Sequence, residues 1–371
     1  MVPSGSSATL RIEMFVALEL LAACPRSLLG TQFLYVQISR WIVHSAPRLG
    51  AMFLEQSSTS IFAPRATPAH SIFSLSILVL TICTAIFITV AGLLLFTLIR
   101  FRHRRGYTQR EPAQIYGSVQ IELSWTVIPI LIVVVLFLAT ARVIFVTQTA
   151  AKPSSALDVV VIGHQYWWEY RYPKLGIVTA NELHIPISDP QEPTPTYLTM
   201  SSADTDHSFW VPRLAGKLDV IPNKVNTMWI DPDKPGLYLG QCAQYCGIEH
   251  AKMLIRVYAD SPAEFAAWVK EQKHLARQTS DGAAGRAVFE ANACVNCHTV
   301  SGTTAHGIFG PDLSHIASRD TIASGSVPLT KQNLRAFIND PGHSKPGVLM
   351  PAMHLNDHDL SAVTDYLMTL H

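Results

Sequence analysis

The stretch "GQCAQYCGIEHAKM", residues 240–253, carries four potential metal ligands close together. Cys242 and Cys246 lie four positions apart, His250 follows four positions later, and Met253 comes three positions after that. Three kinds of site fit this spacing: a disulfide loop, a zinc site that uses one further histidine, and a copper site. A disulfide would leave the histidine and the methionine without a role, so the spacing favours a metal.

The two cysteines narrow the kind of copper site. A mononuclear blue copper centre needs one cysteine, two histidines and a weak methionine ligand. Two cysteines this close can instead bridge two copper ions, each of which then needs its own imidazole. His207, within "SADTDHSFWVP" at 202–212, is the candidate for the second imidazole, because it lies beside aromatic residues ahead of a proline-bounded strand.

A second cysteine pair occurs in "CVNCH", residues 294–298. This is the attachment motif of c-type heme, in which Cys294 and Cys297 form thioethers and His298 binds the iron. A disulfide or a zinc knuckle is the alternative. Methionine is the usual sixth ligand and raises the heme potential. The surrounding "FGPDLSH" and "MP" resemble class I cytochromes c, which favours Met350 over Met353 as that ligand.

Composition points to a membrane protein of two or three domains. The chain has 371 residues, only 15% of them charged, and a formal net charge of +1. Its mean hydropathy of +0.23 is high for a soluble protein. The near-zero net charge provides no bulk attraction to nucleic acid. Four of the six cysteines belong to the two pairs already described, which favours cofactor binding over a disulfide framework.

Two uncharged runs predict a transmembrane hairpin within residues 61–150, with helices at about 72–99 and 123–146. Each run is long enough to span about 30 Å of hydrocarbon. The loop between them is rich in arginine, which places it in the cytoplasm and everything after the second helix outside. Its arginines are Arg100, Arg102, Arg104, Arg105 and Arg110.

Residues 1–60 read as a leader-like region. "LAAC" at 21–24 is similar to a lipoprotein cleavage site and raises lipidation of Cys24 as one alternative. Glu13 and Glu19 interrupt the apolar stretch before it, which favours an ordinary signal segment or a misassigned start.

The remainder divides by pattern into a β-rich part and a helical part. Short apolar strands punctuated by Gly, Pro, Asn and Asp fill residues 151–260 and predict an all-β sandwich or barrel. A charged, helical linker follows at 261–282, and residues 283–371 have helices at both ends. By resemblance to known families, this order implies a two-helix membrane hairpin, then a cupredoxin-like Greek-key β domain, then an all-α cytochrome c domain.

The combined pattern resembles cytochrome c oxidase subunit II, in the caa-type branch that carries a fused cytochrome c. The resemblance covers about residue 60 to the end and includes "IELSWTVIPILI" at 121–132 and "GHQYWWEYRYP" at 163–173. It implies a dinuclear copper centre, CuA, bridged by the two cysteine thiolates of the opening stretch. The implied ligands are His207, Cys242, Cys246, His250, Met253 and the backbone carbonyl of Gln244.

The sequence departs from the family at two positions. Gln244 stands where most members have a glutamate that helps to bind magnesium at the boundary with subunit I. An amide is a weaker ligand than a carboxylate for this hard cation, so the magnesium site is in doubt. Tyr166 replaces the tryptophan at which electrons arrive from free cytochrome c. The cluster of Tyr166, Trp167 and Trp168 is then either an altered electron-accepting surface or ordinary packing.

The resemblance also implies partners and a direction of electron flow. Cytochrome c would reduce heme c, the electron would pass to CuA and then to a heme of subunit I, where oxygen is reduced to water and protons are pumped. Subunits I and III, cytochrome c and membrane lipid are the expected partners in a bacterial plasma membrane. Glu122 would lie where one proton pathway begins. Alternatively, it is an interfacial carboxylate that is stabilised by the positive end of the helix dipole near the helix N-terminus.

Other functions share parts of this pattern. A CuA-containing subunit of a nitric oxide reductase is the main alternative, because its catalytic site also lies on another chain. Nitrous oxide reductase lacks the two membrane helices, and a copper-delivery protein lacks the covalent heme. A quinol oxidase subunit lacks the copper ligands.

The fusion would also tether the heme near the copper site. A flexible linker between them would give the heme an effective concentration of roughly millimolar at the copper.

Overall fold

The computed structural model describes residues 59–102, 114, 116–189, 194–276 and 280–371. The leader-like region, with Cys24, lies outside these residues apart from its last two positions. Arg104, Arg105 and Arg110 of the predicted cytoplasmic loop also lie outside them.

Two long apolar helices open the described part of the chain. Helix α1 spans Thr67–Arg100 and helix α2 spans Val119–Gln148, a few residues longer at each end than predicted. Both are long and apolar enough to cross a membrane, and neither is buried inside the protein. At 1.5 Å per residue α1 is about 50 Å long, which exceeds the hydrocarbon thickness of about 30 Å.

The outer ends of both helices are attached to the β domain. The backbone N–H and the hydroxyl of Thr67 donate to the Asp231 carboxylate, at 2.7 Å and 2.5 Å. The indole of Trp229 donates to the Thr147 carbonyl at 2.9 Å. The β domain is therefore held directly against the outer ends of the hairpin.

Residues 157–260 form a β-sandwich, called here the sandwich domain. The strands are β1 Leu157–His164, β2 Trp167–Tyr172, β3 Ile177–Ala180, β4 Glu182–Pro186, β5 Thr196–Ser202, β6 His207–Trp210, β7 Leu218–Val220, β8 Asn226–Ile230, β9 Gly236–Cys242 and β10 Leu254–Asp260. They form two sheets with the strand orders β3-β2-β1-β5-β8 and β4-β10-β9-β6-β7. The β1–β5 and β4–β10 pairs are parallel, and the other neighbours are antiparallel.

Alternating burial along the strands explains why these segments form a two-layer domain. In β5 and β10 every second residue is buried, so one face of each strand packs inward. Trp168, Leu198 and Phe209 are among the fully buried side chains between the two sheets. The all-β prediction is confirmed, and β6 is a strand in the segment before Pro212 where one was expected.

The predicted helical linker begins as a helix packed on the sandwich domain. Helix α3, Pro262–Gln272, starts with a capping box between Ser261 and Glu264. Trp268 stacks on His184, with ring centroids 4.7 Å apart. This half of the linker is part of the folded domain.

Residues 283–371 form the C-terminal domain, which is mainly helical. Its elements are α4 Ala283–Ala291, α5 Cys294–Cys297, β11 Thr321–Ile322, β12 Val327–Pro328, α6 Lys331–Asn339, α7 Pro341–Ser344 and α8 Asp357–Leu367. Helices α4 and α8 cross at a very close contact, since a Cβ on Gly285 would lie 1.9 Å from the Ala362 carbonyl oxygen. A single 3₁₀ turn, Ile316–Ser318, also lies in this domain. Two further 3₁₀ turns precede it, His250–Lys252 in the sandwich domain and Ser280–Gly282 just before α4.

Replacing Gly285 by alanine should destabilise the C-terminal domain by about 1 to 3 kcal/mol, because the added methyl group forces α4 and α8 apart. Denaturant unfolding of the full chain, followed through the absorbance of the heme that the sequence predicts for this domain, measures the effect. Ala287→Leu is the control, because Ala287 is exposed on the same helix. Equal unfolding midpoints for Gly285→Ala and the unchanged protein would contradict the close crossing.

Candidate metal and heme sites

Strand pairing brings the predicted copper ligands together. Strands β6 and β9 are antiparallel neighbours, with Phe209 opposite Cys242, so His207 at the start of β6 lies near the end of β9. The chain then loops through Cys246 and His250 and returns into β10. The Cys242 N–H donates to the Met253 carbonyl at 2.9 Å, which closes this loop. His207, Cys242, Cys246 and Met253 are at most 3% exposed.

Four further potential donor atoms surround the two cysteine sulfur atoms, which makes six donors in all. The sulfurs of Cys242 and Cys246 are 3.9 Å apart. Near Cys242 Sγ lie His207 Nδ1 at 3.9 Å and the Gln244 carbonyl oxygen at 3.2 Å. Near Cys246 Sγ lie His250 Nδ1 at 3.7 Å and Met253 Sδ at 3.9 Å. Each sulfur therefore has one imidazole and one weaker donor beside it.

Asp204 orients one of the imidazoles. Its carboxylate Oδ1 lies 2.8 Å from Nε2 of His207, on the side of the ring away from Cys242. A carboxylate that accepts from the outer ring nitrogen fixes the tautomer and leaves the inner nitrogen free to bind a metal. Burial opposes a charged imidazolium, but the Asp204 and Cys242 hydrogen bonds outweigh it, so the pKa of His207 is raised.

The cysteine pair is poised to bind a cation. The hydrogen bond from Cys246, against the opposing effect of burial, lowers the pKa of Cys242 to about 3. The interaction with Cys242, with burial, raises the pKa of Cys246 instead. One thiolate thus forms readily, whereas the second proton leaves only when positive charge replaces it, as it does when a metal binds.

This donor set fits copper. A sulfur separation of 3.9 Å is far longer than the disulfide bond of about 2.05 Å, so the cystine alternative fails. A tetrahedral zinc site would use four donors, which leaves two of the six without a role. Thiolate, imidazole and thioether are all ligands suited to copper.

An open, largely apolar cavity lies in the C-terminal domain where this domain faces the sandwich domain. Cys294 and Cys297 lie on its wall at the two ends of α5, and His298 follows directly. His298 Nδ1 lies 2.7 Å from the Pro311 carbonyl, which leaves Nε2 free for an iron. Burial lowers the pKa of His298 and keeps the ring neutral, as an iron ligand must be.

The cavity has further groups suited to a heme. Met350 and Met353 both line it, and Met350 also packs against the hydrophobic core of the domain. Arg319 donates to the Asp312 carbonyl at 2.6 Å, while its buried Nε has no partner among the described residues. A buried guanidinium beside this cavity would pair with a heme carboxylate. The residues present therefore fit a covalently attached heme.

The aromatic cluster of the sequence divides between two places. Trp168 is fully buried and its ring lies 5.9 Å from that of His207. Tyr166 and Trp167 instead line the heme cavity from the sandwich side. Tyr166 is 7% exposed and its hydroxyl accepts from the Ile248 N–H at 3.1 Å, two residues beyond Cys246. Tyr166 thus contacts the copper loop and the heme cavity together.

Two other candidate residues lie on the surface. The Gln244 side chain is exposed, and only its carbonyl oxygen approaches the sulfur pair. Glu122 lies exposed in the first turn of α2. The doubtful magnesium site and the proton pathway stay predictions.

Sequence reasoning missed Asp204 and Arg319. Asp204 lies three residues before His207, and a carboxylate close to a ligand histidine was the available signal. Arg319 follows "FGPDLSHIAS" in a segment that the sequence left as loop. Its burial beside the cavity depends on the tertiary fold.

Three family profiles match successive parts of the chain. They describe the cytochrome c oxidase subunit II transmembrane domain at residues 55–143, the periplasmic domain of that subunit at 181–259, and cytochrome c at 282–371.

Curated relatives match over most of their length. Cytochrome c oxidase subunit 2 of Alkalihalophilus pseudofirmus is 32% identical over 85% of this chain and 92% of its own. The corresponding protein of Bacillus subtilis is 31% identical over 74% of this chain and 81% of its own. The solved periplasmic domain of subunit II of Bradyrhizobium japonicum cytochrome oxidase is 28% identical, covers 33% of this chain and 96% of its own, and has a TM-score of 0.31.

The variant Asp204→Asn should weaken copper binding by roughly 10- to 100-fold, because an amide no longer holds the His207 ring as a carboxylate does. Copper titration of the full chain, with metal analysis, measures the change. Asp206→Asn is the control, because Asp206 is exposed and directly precedes His207 in the sequence. Equal copper affinity of the two variants would rule out the orienting role of Asp204.

The variants Met350→Leu and Met353→Leu distinguish the two candidate iron ligands. We expect Met350→Leu to remove methionine ligation and to lower the heme midpoint potential, because methionine ligation raises it. Met353→Leu should leave both unchanged. Optical spectroscopy and a redox titration of the heme make the comparison, and the opposite pattern would assign the ligand to Met353.

Proposed function

Since this chain belongs to the cytochrome c oxidase subunit II family, we propose that it takes electrons from cytochrome c onto heme c and relays them through dinuclear CuA to the heme of subunit I. Oxygen is reduced to water there, and protons are pumped. The chain is an electron-transfer subunit of a heme-copper oxidase. The oxygen-reducing site lies on subunit I, and no catalytic residue is assigned to this chain.

The paired arrangement of donors around Cys242 and Cys246 carries the proposal. Each sulfur has its own imidazole and its own weaker donor, and the sulfurs are close enough to be shared by two metal ions. His207 and His250 would supply one imidazole to each copper, and Met253 and the Gln244 carbonyl would be the weaker ligands. A mononuclear centre built from one cysteine, two histidines and a methionine would leave the second cysteine and the Gln244 carbonyl unused.

The residues around the site would hold the copper ligands still. Trp168 and Phe209 pack with their ring centroids 5.6 Å apart beneath His207. The backbone of Gly163 packs directly against the His207 ring, since a Cβ at this position would lie 2.8 Å from the His207 side chain. A site that cannot relax when its charge changes transfers electrons with little rearrangement, which is what the protein contributes to a relay.

Tyr166 connects the two cofactor sites in this proposal. Its ring lines the heme cavity, and its hydroxyl is bonded to the loop that follows Cys246. Electrons would enter the copper site on this side. A free donor cannot reach the fully buried Trp168, so cytochrome c would deliver its electron to the C-terminal domain instead.

The remaining assignments follow from the family and the apolar helices. We place the chain in a bacterial plasma membrane, with both cofactor domains on the outer side and lipid around α1 and α2. Subunits I and III would be its neighbours, and Glu122 would face the start of a proton pathway in subunit I. Magnesium binding through Gln244 stays doubtful, because an exposed amide is a poor ligand for this ion.

Electron paramagnetic resonance of the oxidised full chain tests the proposed function. We expect hyperfine lines from two equivalent copper nuclei, with the absorbance of reduced heme c as an internal control. Cys246→Ser should abolish the two-copper signal and leave the heme spectrum unchanged. A single-copper signal or bound zinc in the unchanged protein would overturn the CuA assignment.

A further inference from the structure

We infer that Glu182 and Lys345 are positioning residues that seat the C-terminal domain on the sandwich domain, so that the heme cavity stays against Tyr166. This inference rests on the proposed function, because its consequence is fast electron transfer from heme c to copper. It concerns the junction, defined here as the contacts of residues 319–326 and 344–345 with the sandwich domain.

Glu182, the first residue of β4, forms the acidic half of the junction. Its carboxylate is 3% exposed although it belongs to a surface of the sandwich domain. One oxygen accepts from the Asp320 N–H at 3.1 Å, and the other accepts from the Thr321 hydroxyl at 2.5 Å. The only cation within 4 Å of it among the described residues is Arg256, at 3.7 Å. Glu182 therefore holds two successive residues of the C-terminal domain.

Arg256 and Tyr258 extend this contact along β10. The Arg256 guanidinium donates to the Tyr258 hydroxyl at 3.1 Å, and that hydroxyl donates to the Asp320 carboxylate at 2.6 Å. Asp320 is thus held through its backbone by Glu182 and through its side chain by Tyr258. Two attachments at one residue fix an orientation, which a single ion pair does not.

Lys345 forms the basic half, on the segment that leads to Met350. It is 2% exposed, which is rare for a lysine. Its ammonium donates to the carbonyl oxygen of Tyr166 and to the Ser324 hydroxyl, the latter at 2.7 Å. Ser324 donates to the same Tyr166 carbonyl, and its own carbonyl accepts from the Leu254 N–H at 3.2 Å. The backbone carbonyl of Tyr166 therefore accepts hydrogen bonds from two side chains of the C-terminal domain.

These buried polar contacts set the pose of the domain more than its affinity. Burying the charged Glu182 and Lys345 side chains costs desolvation free energy, and their hydrogen bonds across the junction only offset that cost. A shifted pose would break these hydrogen bonds and leave the buried groups unpaired. The domain is thereby restricted to the one arrangement that pairs them all. A flexible tether would instead let heme c reach copper only through repeated encounters.

Two readouts on the full chain test the inference. The first is hydrogen exchange of the Asp320 and Leu254 amides, which are protected only while the domains are in contact. The second is the rate at which photoreduced heme c passes its electron to copper within one molecule, measured at several solvent viscosities. The variants are Glu182→Gln, Glu182→Ala and Lys345→Met. Glu290→Gln and Lys331→Met are matched controls, because both residues form ion pairs inside the C-terminal domain.

We expect Glu182→Ala and Lys345→Met to expose both amides and to slow the transfer by about tenfold or more, because small displacements of reacting groups are costly. The rate should also become dependent on viscosity. Glu182→Gln should have a smaller effect, since its amide oxygen still accepts hydrogen bonds. The copper signal and the heme spectrum should not change, which shows that both domains remain folded.

The outcomes separate this inference from the proposed function. No transfer from heme c to copper in the unchanged protein would defeat the proposed function itself. Fast transfer in the unchanged protein together with equally fast transfer and full amide protection in the variants would defeat only the positioning role. Slowing by the two controls to the same extent would likewise overturn it, because any charge change would then suffice.

Discussion

Two buried sulfur atoms held 3.9 Å apart are the constraint on which the rest of the sandwich domain depends. Such a pair cannot carry two negative charges without a cation between them. The fold therefore has to bring imidazoles and neutral donors to the same point and to exclude water from it. The pairing of β6 with β9 does so, since it delivers His207 to Cys242 from a distant part of the chain.

The same constraint explains the polar groups just outside the copper ligands. Asp204 is needed because an imidazole free to rotate would present either nitrogen to the metal. The Gln165 amide donates to the Cys246 carbonyl at 2.6 Å, and Tyr166 is bonded to Ile248. The segment before β2 thus supports the copper loop while it also lines the heme cavity. One short stretch of chain serves both sites.

The junction gives the linker a different role from that of a tether. Helix α3 packs on the sandwich domain through Trp268, and the C-terminal domain then returns to the same face through Glu182 and Lys345. Covalent connection limits the search, and the buried contacts select the pose. The membrane helices add a third fixed attachment, because Asp231 and Trp229 join their outer ends to β8 and the residue that follows it.

The sequence by itself determined the membrane helices, the all-β class, the heme-attachment motif and the residues that are candidates to bind copper. These depend on local spacing, hydrophobic patterning and short motifs, which are readable without a fold. Only the tertiary structure decided which donor lies beside which sulfur, that Trp168 and Tyr166 face different sites, and that Asp204, Arg319, Glu182 and Lys345 matter. Each of these depends on contacts between residues far apart in the chain or on burial, and a charged side chain looks the same in sequence whether it is exposed or enclosed.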